Sequence, residues 1–391
     1  MKMDVEQKVN DLKNSLMFQL SLSSKELFHS NFIYWLISTY SVECSRLFSE
    51  FLSNKDKQEI IKITREDKNR DIVIYFESET GLLSSLVIEN KIKSLPRYEQ
   101  LRDYTTLNKT EHYLLLSLAK PNFLAENNKI VINEFDREWD YINYCKLSEM
   151  LEEIVSEIET KNSYHSLIIR DYIKFVKTLN DVTEEAYNTV INGRYDFYQK
   201  QNNKFSLLKT IRMHDFYLKL NHEILATELH SRIRREIGDL NLVKGKKWSK
   251  AKNQEVFTDF GFTRGSGITE VKYVIGHKFD IPIIVGIQIQ DVQFRLFIES
   301  KKEYAGKIAR KLLDNNMWFD FSYLTDSFLL DGKQYPDKPN KQFNSYSGEF
   351  YYRSVKLKNC NSRELIDLML NYLKYIHEEK ENLMRKINEV I

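Results

Sequence analysis

Glycine, proline and cysteine are all scarce in this chain of 391 residues. Its 12 glycines and 5 prolines supply few turns, which disfavours an all-β sandwich or a glycine-rich repeat and favours a helix-rich protein with limited sheet. The 3 cysteines, Cys44, Cys145 and Cys360, are odd in number and far apart. This pattern excludes a disulfide framework and a CxxC zinc site, and it suits a reducing cytosol, so we expect a cytoplasmic protein.

A long apolar run and a strong net charge are also missing. The most apolar stretch, 281–287, is far shorter than the roughly 20 residues that span a bilayer. We therefore expect no membrane partner, and the charged amino-terminal residues predict no signal peptide. Lys and Arg number 58 and Asp and Glu number 56, so a surface that binds nucleic acid has to be a local patch.

The length predicts two domains, at roughly 100–200 residues per domain. In residues 1–185, helical and strand patterns alternate, which is typical of an α/β or α+β domain with helices covering a small mixed sheet. The polar segment 180–188 is the predicted boundary. Residues 186–391 predict a second, α+β domain that is helical over 205–237, then rich in strands, then helical from 362. The alternation over 285–298 fits either a hairpin or one long strand.

Several short elements of the first domain decide where its polar residues lie. Apolar residues at helical spacing predict one or two helices over 24–51. Two strands, 71–76 and 86–92, are joined by a polar stretch with a glycine that suits an antiparallel hairpin. The remaining predictions are a polar helix over 97–105, a buried strand over 112–118, and helices over 147–159 and 166–179.

Charged side chains occur where an apolar strand is predicted. Glu89 and Lys91 are two residues apart, so their side chains leave the same face of the strand. In a hairpin, Asp71 at the start of the preceding strand would lie beside Glu89. Two converging carboxylates favour a hard cation such as Mg²⁺ or Mn²⁺. The neighbouring lysine would stabilise negative charge on a phosphate under attack.

The alternative for this cluster is an ordinary salt bridge. An E-x-K pair on a strand is more often exposed, and such a pair is worth about 0–1 kcal/mol. Here Leu86, Val87, Ile88 and Ile92 predict a buried strand, in which paired charges are costly unless they are used. The position of the cluster therefore favours a functional role.

The residues around the cluster match a known family in their order and their elements. Asp71, the run Glu89-Asn90-Lys91, and Gln100 with Tyr104 resemble the motif of the PD-(D/E)XK nuclease superfamily. The resemblance covers roughly residues 20–180 and is closest to the RecB-like branch with a QxxxY helix and to nuclease-like proteins of bacterial phage-defence islands. It implies a restriction-endonuclease-like core. The chain departs from the motif at Arg70, where the family has proline.

The resemblance also implies roles for the strand residues. Asp71 and Glu89 would bind a metal ion together with the main-chain carbonyl of Asn90, and Lys91 would be the catalytic lysine. The implied ion is Mg²⁺, for which Mn²⁺ would substitute.

Two helices carry the other implied residues. Gln100 and Tyr104 share a helix face and would either contact the DNA backbone or brace the site. His29, or Glu26 one turn before it, would complete the metal shell. The structural alternative for His29 is a core residue beside Phe28.

A basic cluster lies in the predicted second domain. It consists of Trp248 and the five lysines Lys244, Lys246, Lys247, Lys250 and Lys252. Such a cluster would hold phosphates by charge and a base by stacking. The alternative is a solvated loop, which is the commoner fate of a lysine run.

Three functions fit these observations. The first is a metal-dependent nuclease that hydrolyses DNA in bacterial defence against phage or foreign DNA, with the second domain binding phage DNA or a phage protein. The second is a binding or sensor protein on an inactive nuclease fold. The third is an RNase with the same residues, because the cluster contacts phosphates and not the 2′-hydroxyl. Cleavage of both strands with one site per chain would favour a homodimer.

Overall fold

The computed structural model describes residues 5–24, 26–54, 57–67, 69–191, 203–238, 240–244, 252–263, 265–324, 343–357 and 361–391. These residues form eleven α-helices and thirteen strands, and the strands make two mixed sheets. The predicted mixed α/β class is confirmed.

The described chain divides into two compact units, Met1–Glu185 with Leu207–Phe216, and Ala186–Ser206 with Tyr217–Ile391. We propose that they correspond to two domains that meet in the sequence near residue 185. The polar segment 180–188, predicted as the boundary, is helical and continues the helix Ser163–Ile191. Val182 and Ala186 are buried and four residues apart, so they lie on one face of a helix. Their burial favours the helical conformation despite the polar composition of the segment.

The first sheet and its helices are built from the amino-terminal half of the chain. The helices are α1 (Val5–Asn14), α2 (Leu16–Ser24), α3 (Glu26–Thr39), α4 (Ser41–Phe48), α5 (Tyr98–Tyr104), α6 (Tyr144–Lys161) and α7 (Ser163–Ile191), with a short 3₁₀ helix at Ser49–Phe51. The strands are β1 (Gln58–Asp67), β2 (Arg70–Ser78), β3 (Leu83–Lys91), β4 (Glu111–Ser117), β5 (Lys129–Ile132) and β6 (Arg137–Ile142).

Strand β3 lies inside this sheet, whose order is β1-β2-β3-β4-β6-β5. Strands β2 and β3 form the predicted antiparallel hairpin, with Ile72 opposite Ile88, and β4 runs parallel to β3 on its other side. One core cluster fills the space under these strands and α5. Its buried members are Val73, Val87, Leu101, Tyr113, Leu115, Ile130, Ile132 and Trp139.

Strand β1 forms one edge of the sheet and was not predicted. Charged, exposed residues such as Glu59, Lys62 and Arg65 run through it, so it lacks the apolar alternation that indicates a strand. Its pairing with β2 shifts register between Ile60 and Lys62, which is a β-bulge.

The second sheet is formed later in the chain. The remaining elements are α8 (Asn203–Thr210), α9 (His214–Glu236), β7 (Asn241–Lys244), β8 (Glu255–Thr263), β9 (Ser266–Lys278), β10 (Ile281–Gln290), β11 (Gln293–Glu299), α10 (Lys302–Asp314), β12 (Asn344–Tyr346), β13 (Phe350–Lys356) and α11 (Ser362–Ile387), with a 3₁₀ helix at Ser322–Leu324. The segment predicted as helical over 205–237 is thus two helices, and the alternation over 285–298 is a hairpin of β10 and β11.

The second sheet has the order β12-β13-β11-β10-β9-β8-β7, and α11 packs on β9 and β10. Helix α11 begins where predicted, because Asn361 and Glu364 form a reciprocal capping box at its first turn. Its Tyr372 ring lies 5.6 Å from the ring of Phe294 on β11. Of the helices in the described ranges, none combines the length and the apolarity that crossing a bilayer requires.

Substitution of Gly286 should show how tightly the second sheet is packed. A Cβ at Gly286 would lie 2.2 Å from the ring of Phe297, which is stacked on Phe350 at 4.4 Å. We expect Gly286→Ala to lower the free energy of unfolding by about 1–3 kcal/mol, measured by urea denaturation, because the ring has to move. Gly261→Ala is the control, since its Cβ would meet Ile268 at an ordinary 3.9 Å. Equal stability of both variants and the parent would contradict this packing.

Candidate active site

Pairing of β2 with β3 brings the charged residues of the predicted cluster together. Ile72 faces Ile88, so Asp71 and Glu89 are neighbours across the hairpin. The main-chain N–H of Asn90 donates a 2.7 Å hydrogen bond to Asp71 Oδ2. Lys91 Nζ lies 2.6 Å from Glu89 Oε1. Asp71, Glu89 and Lys91 therefore form one group at the end of the hairpin.

Burial dominates the electrostatics of this group. The side chain of Glu89 is 1% exposed, and burial together with the nearby Asp71 raises its pKa to about 7, against the opposing effect of Lys91. Burial also raises the pKa of Asp71, although the Asn90 N–H and Lys91 oppose it. Burial alone would lower the pKa of Lys91, but the surrounding carboxylates outweigh it and raise that pKa. The group thus holds a protonated lysine between carboxyls whose ionised forms are poorly solvated.

Helix α5 braces the Glu89 carboxylate. Gln100 Nε2 donates to Glu89 Oε1 at 2.8 Å and to the Tyr104 hydroxyl at 3.0 Å. Of the two roles expected for Gln100 and Tyr104, these contacts support bracing. The end of the helix is held in turn by the indole N–H of Trp139, which donates to Thr105 Oγ1 at 2.9 Å.

Arg70 fills the position at which the resembling family has proline. Its guanidinium donates to Glu111 at 2.6 and 3.3 Å and to the main-chain carbonyl of Tyr104 at 3.1 Å. Glu111 Oε2 also accepts hydrogen bonds from Thr106 Oγ1 and from the Tyr113 hydroxyl, each at 2.7 Å. The residue before Asp71 therefore ties the start of β2 to the end of α5.

Glu26 and His29 on α3 lie in different surroundings. Glu26 Oε1 accepts hydrogen bonds from Ser94 N at 3.1 Å and Ser94 Oγ at 2.5 Å, so it fixes the loop that follows β3. His29 is buried, and its Nδ1 pairs with the Tyr172 hydroxyl at 3.0 Å. Burial, aided by Lys93, lowers the pKa of His29 to about 3, which keeps the imidazole neutral.

Asn90 holds the strand from the face opposite Glu89. Its side-chain amide donates to Ser30 Oγ at 3.0 Å and to the Glu26 carbonyl at 3.3 Å, and its Oδ1 accepts a hydrogen bond from the Tyr144 hydroxyl. Helices α3 and α6 are thereby fastened to β3 at the residue between Glu89 and Lys91. Neither Ser30 nor Tyr144 lies in a sequence pattern that would reveal this role.

A buried hydroxyl beside Lys91 was also missed. Ser117 is the register partner of Lys91 on β4, is 0% exposed, and has an Oγ without a hydrogen-bond partner in the described structure. The only sequence signal for it is a small polar residue inside the apolar run 112–118. Such a hydroxyl is costly to bury unless another state of the protein uses it.

The donor atoms at this group suit a divalent metal ion. Glu89 Oε2 is buried and has no hydrogen-bond partner within the described residues, which leaves a carboxylate oxygen available beside Asp71. Two carboxylates and a main-chain carbonyl are the hard oxygen donors that Mg²⁺ and Mn²⁺ prefer. Within the described ranges no three His, Cys, Asp or Glu residues come close enough together to hold a metal ion. Glu26 and His29 are thus not gathered into one such cluster with Asp71 and Glu89.

A second E-x-K cluster in the chain provides a contrast. On β9, Lys272 Nζ lies 3.1 Å from Glu270 Oε1, and Asp259 faces Glu270 from β8. Gln288 Nε2 donates to Glu270 Oε2 at 2.8 Å, and Glu299 Oε2 lies 2.8 Å from Lys272. Both oxygens of Glu270 are therefore engaged, whereas Oε2 of Glu89 has no hydrogen-bond partner within the described residues.

The predicted basic cluster around Trp248 falls largely outside the described residues. Lys246, Lys247, Trp248 and Lys250 lie there, as does the side chain of Lys244. Lys252 is described, and its main-chain N–H donates to Glu255 at 2.7 Å.

Comparison with known proteins finds one family model that matches part of the chain. Residues 15–174 match the family model of the PD-(D/E)XK nuclease superfamily, so the predicted resemblance is confirmed at the level of the superfamily. The matched segment contains Asp71, Glu89, Lys91, Gln100 and Tyr104. No curated protein and no solved structure matches the chain.

The raised pKa of Glu89 predicts how stability depends on pH. Its folded value of about 7 lies above the ordinary 4.5, so its contribution to stability is complete below about pH 4.5 and is lost as the pH rises through 7. In EDTA, Glu89→Gln cannot ionise and should be more stable than the parent at pH 8, with a difference that shrinks towards pH 4.5. Thermal unfolding across this range measures the effect. Exposed Glu99→Gln should follow the parent, and a Glu89→Gln curve that does the same would contradict the prediction.

Removal of Arg70 should loosen α5. Arg70→Ala leaves the buried Glu111 without its bidentate partner, and we expect a loss of about 2–4 kcal/mol in the free energy of unfolding. Arg70→Lys keeps the charge but not the planar guanidinium, so its free energy of unfolding should lie between those of the parent and of Arg70→Ala. Urea denaturation measures both variants, and the double variant with Glu111→Gln should recover part of the loss. Additive losses in the double variant would refute the coupling.

Proposed function

We propose that the PD-(D/E)XK nuclease superfamily domain within residues 15–174 hydrolyses phosphodiester bonds of DNA with the help of Mg²⁺ or Mn²⁺. The observation that carries this proposal is Glu89 Oε2. Within the described residues this buried oxygen has no hydrogen-bond partner, and its carboxylate lies beside Asp71 and a protonated Lys91. The glutamate of the E-x-K pattern on β9, Glu270, has both of its oxygens engaged instead.

Asp71, Glu89 and the main-chain carbonyl of Asn90 are the groups that would hold the ion. Bound there, it would supply Lewis acidity and lower the pKa of a coordinated water. The ion would also relieve the unfavourable ionisation of Glu89, whose pKa of about 7 reflects burial and the charge of Asp71.

Lys91 has the position and the charge to act on the phosphate. Its raised pKa keeps it cationic, and a fixed cation in a buried site stabilises the charge that develops on a phosphoryl group during attack. Once Glu89 is engaged by the ion, Lys91 needs another partner. The substrate phosphate and the unpartnered Ser117 Oγ, its neighbour on β4, are the acceptors we propose.

Gln100 and Tyr104 position the site in this proposal. The Gln100 amide holds Glu89 Oε1 and leaves Oε2 without a hydrogen-bond partner within the described residues. Glu26 contributes by orienting the loop after β3, and neutral His29 supports α3 through Tyr172.

The biological setting follows from the resemblance to proteins of phage-defence islands. We propose cytoplasmic defence against phage or foreign DNA, with the second domain recognising phage DNA or a phage protein. A homodimer would place two sites on a duplex. The competing functions are an RNase with the same residues and an inactive nuclease fold that acts as a binding or sensor protein.

Cleavage assays test the nuclease proposal directly. Plasmid, linear phage DNA and matched RNA are incubated with purified protein and Mg²⁺, Mn²⁺ or EDTA. We expect metal-dependent cleavage of DNA, lowered about 100-fold or more in Glu89→Gln and Lys91→Ala, because each removes a group that acts on the charge of the transition state.

Matched controls separate chemistry from folding. Glu99→Gln and Lys109→Ala make the same kinds of change at exposed positions and should cut like the parent. All variants are first checked for cooperative thermal unfolding. Cleavage of RNA alone would favour the RNase. If neither the parent nor the variants cleave DNA or RNA, the binding or sensor protein is favoured.

A further inference from the structure

The hairpin that joins β9 to β10 has an unusual turn. Lys278 pairs with Ile281, so Phe279 and Asp280 form a two-residue loop, and both have positive φ, 48° and 60°. Turns of this kind favour Asn-Gly or Asp-Gly, because a bulky side chain is strained in the left-handed region. Phe279 is also 73% exposed, so packing does not compensate the strain.

A second phenylalanine shows what compensation looks like. Phe319 also has a positive φ, 68°, but it is 1% exposed and its ring lies 4.8 Å from that of Phe343. Burial explains the strain at Phe319 and leaves it unexplained at Phe279. Strained residues of this kind cluster at functional sites.

Other exposed groups share this end of the second sheet. Tyr346, at the end of β12, is 69% exposed, and the pairing of β10, β11, β13 and β12 places it at the same end as the β9–β10 turn. Strand spacing and register put the two aromatic side chains roughly 20–25 Å apart, because Tyr346 is level with Ile284 and Phe279 lies beyond it along the strand. Lys252 precedes β8 at this end, because Gln254 N bonds to the Val274 carbonyl near the end of β9.

Positive charge accompanies the aromatic rings. Lys278 Nζ lies 5.7 Å from the centroid of the Phe279 ring. Lys252 and Lys302 are exposed nearby, and Lys302 lies along the turn between β12 and β13. Carboxylates of Asp280, Glu303 and Glu349 share this end, so the three lysines and the three carboxylates balance in formal charge. Binding here would depend more on stacking than on charge.

We propose that this end of the sheet, defined by Phe279, Tyr346, Lys252, Lys278 and Lys302, binds single-stranded DNA. Exposed aromatic rings stack on unpaired bases of any sequence, and lysines beside them contact the phosphates. Bases within a duplex are already stacked and cannot cover a protruding ring. The inference rests on the proposed function, since the strand bound here is the nuclease substrate or its product.

Binding is measured with the full-length protein in EDTA, so that cleavage does not interfere. Fluorescence anisotropy follows a labelled 20-nucleotide single strand and the corresponding duplex. We expect tighter binding of the single strand and an affinity about 5- to 150-fold lower in Phe279→Ala, as for one stacked base. The logarithm of affinity should fall with the logarithm of salt concentration with a shallow slope of about −2, for roughly three phosphate contacts. Tyr164→Ala, which removes a 68% exposed ring elsewhere, should bind like the parent.

A substitution that relieves the strain makes the test independent of folding. Phe279→Asn should raise the melting temperature, because Asn tolerates positive φ, while it lowers affinity as much as Phe279→Ala does. Unchanged affinity in both variants, equal affinity of the parent for duplex, or a lower melting temperature of Phe279→Asn would overturn the inference. If the parent cleaves DNA and Phe279→Ala binds single strands as well as the parent does, the single-strand site is contradicted and the nuclease proposal is not. If binding depends on Phe279 but the parent cleaves neither DNA nor RNA, the nuclease proposal is contradicted and the binding site is not.

Discussion

The first unit depends on burying one carboxylate, that of Glu89, inside a sheet. A carboxylate in this position loses its hydration, and its raised pKa records the cost. Lys91 and Gln100 both contact Oε1, and their contacts offset the lost hydration of that oxygen. Oε2 remains without a partner. A bound cation at Oε2 would lower this cost, and this links the local electrostatics to the proposed metal-dependent nuclease.

Strand alternation connects this site to the helices around it. Glu89 and Lys91 leave one face of β3, and Asn90 between them leaves the other, where its amide joins α3 to α6. The main chain of Asn90 also donates to Asp71. One residue therefore contributes to both the packing of two helices and the orientation of a carboxylate. Arg70 also has two roles. It binds the Tyr104 carbonyl at the carboxyl end of α5, and it directly precedes Asp71 in β2.

Much of this region could be predicted because its elements carry clear local patterns. The β2–β3 hairpin, α5 and β4 have strong apolar periodicity, and their polar residues stand out against it. Strand β1 was missed because it is charged and exposed, and the segment 180–188 was not predicted as a helix because its few buried residues are outnumbered by polar ones. Partners that are distant in sequence were beyond a local pattern. His29 meets Tyr172, and Glu26 meets Ser94, neither of which is marked in the sequence. The E-x-K pattern itself occurs seven times in the chain, so the pattern alone does not single out Glu89. The contacts do, because both oxygens of Glu270 are engaged and only one oxygen of Glu89 is.

The bulged, charged strand β1 has a consequence for how copies of the chain can associate. An edge strand normally offers unpaired main-chain groups on which another strand can add, which is a route to aggregation. The bulge at Ile60–Lys62 interrupts that row, and exposed Glu59, Lys62 and Arg65 resist burial against a second backbone. Growth of a continuous sheet from one copy to the next is therefore disfavoured at β1. Any association between copies of the chain would therefore use surfaces other than this edge. The sheet that carries the site is protected from extension at β1.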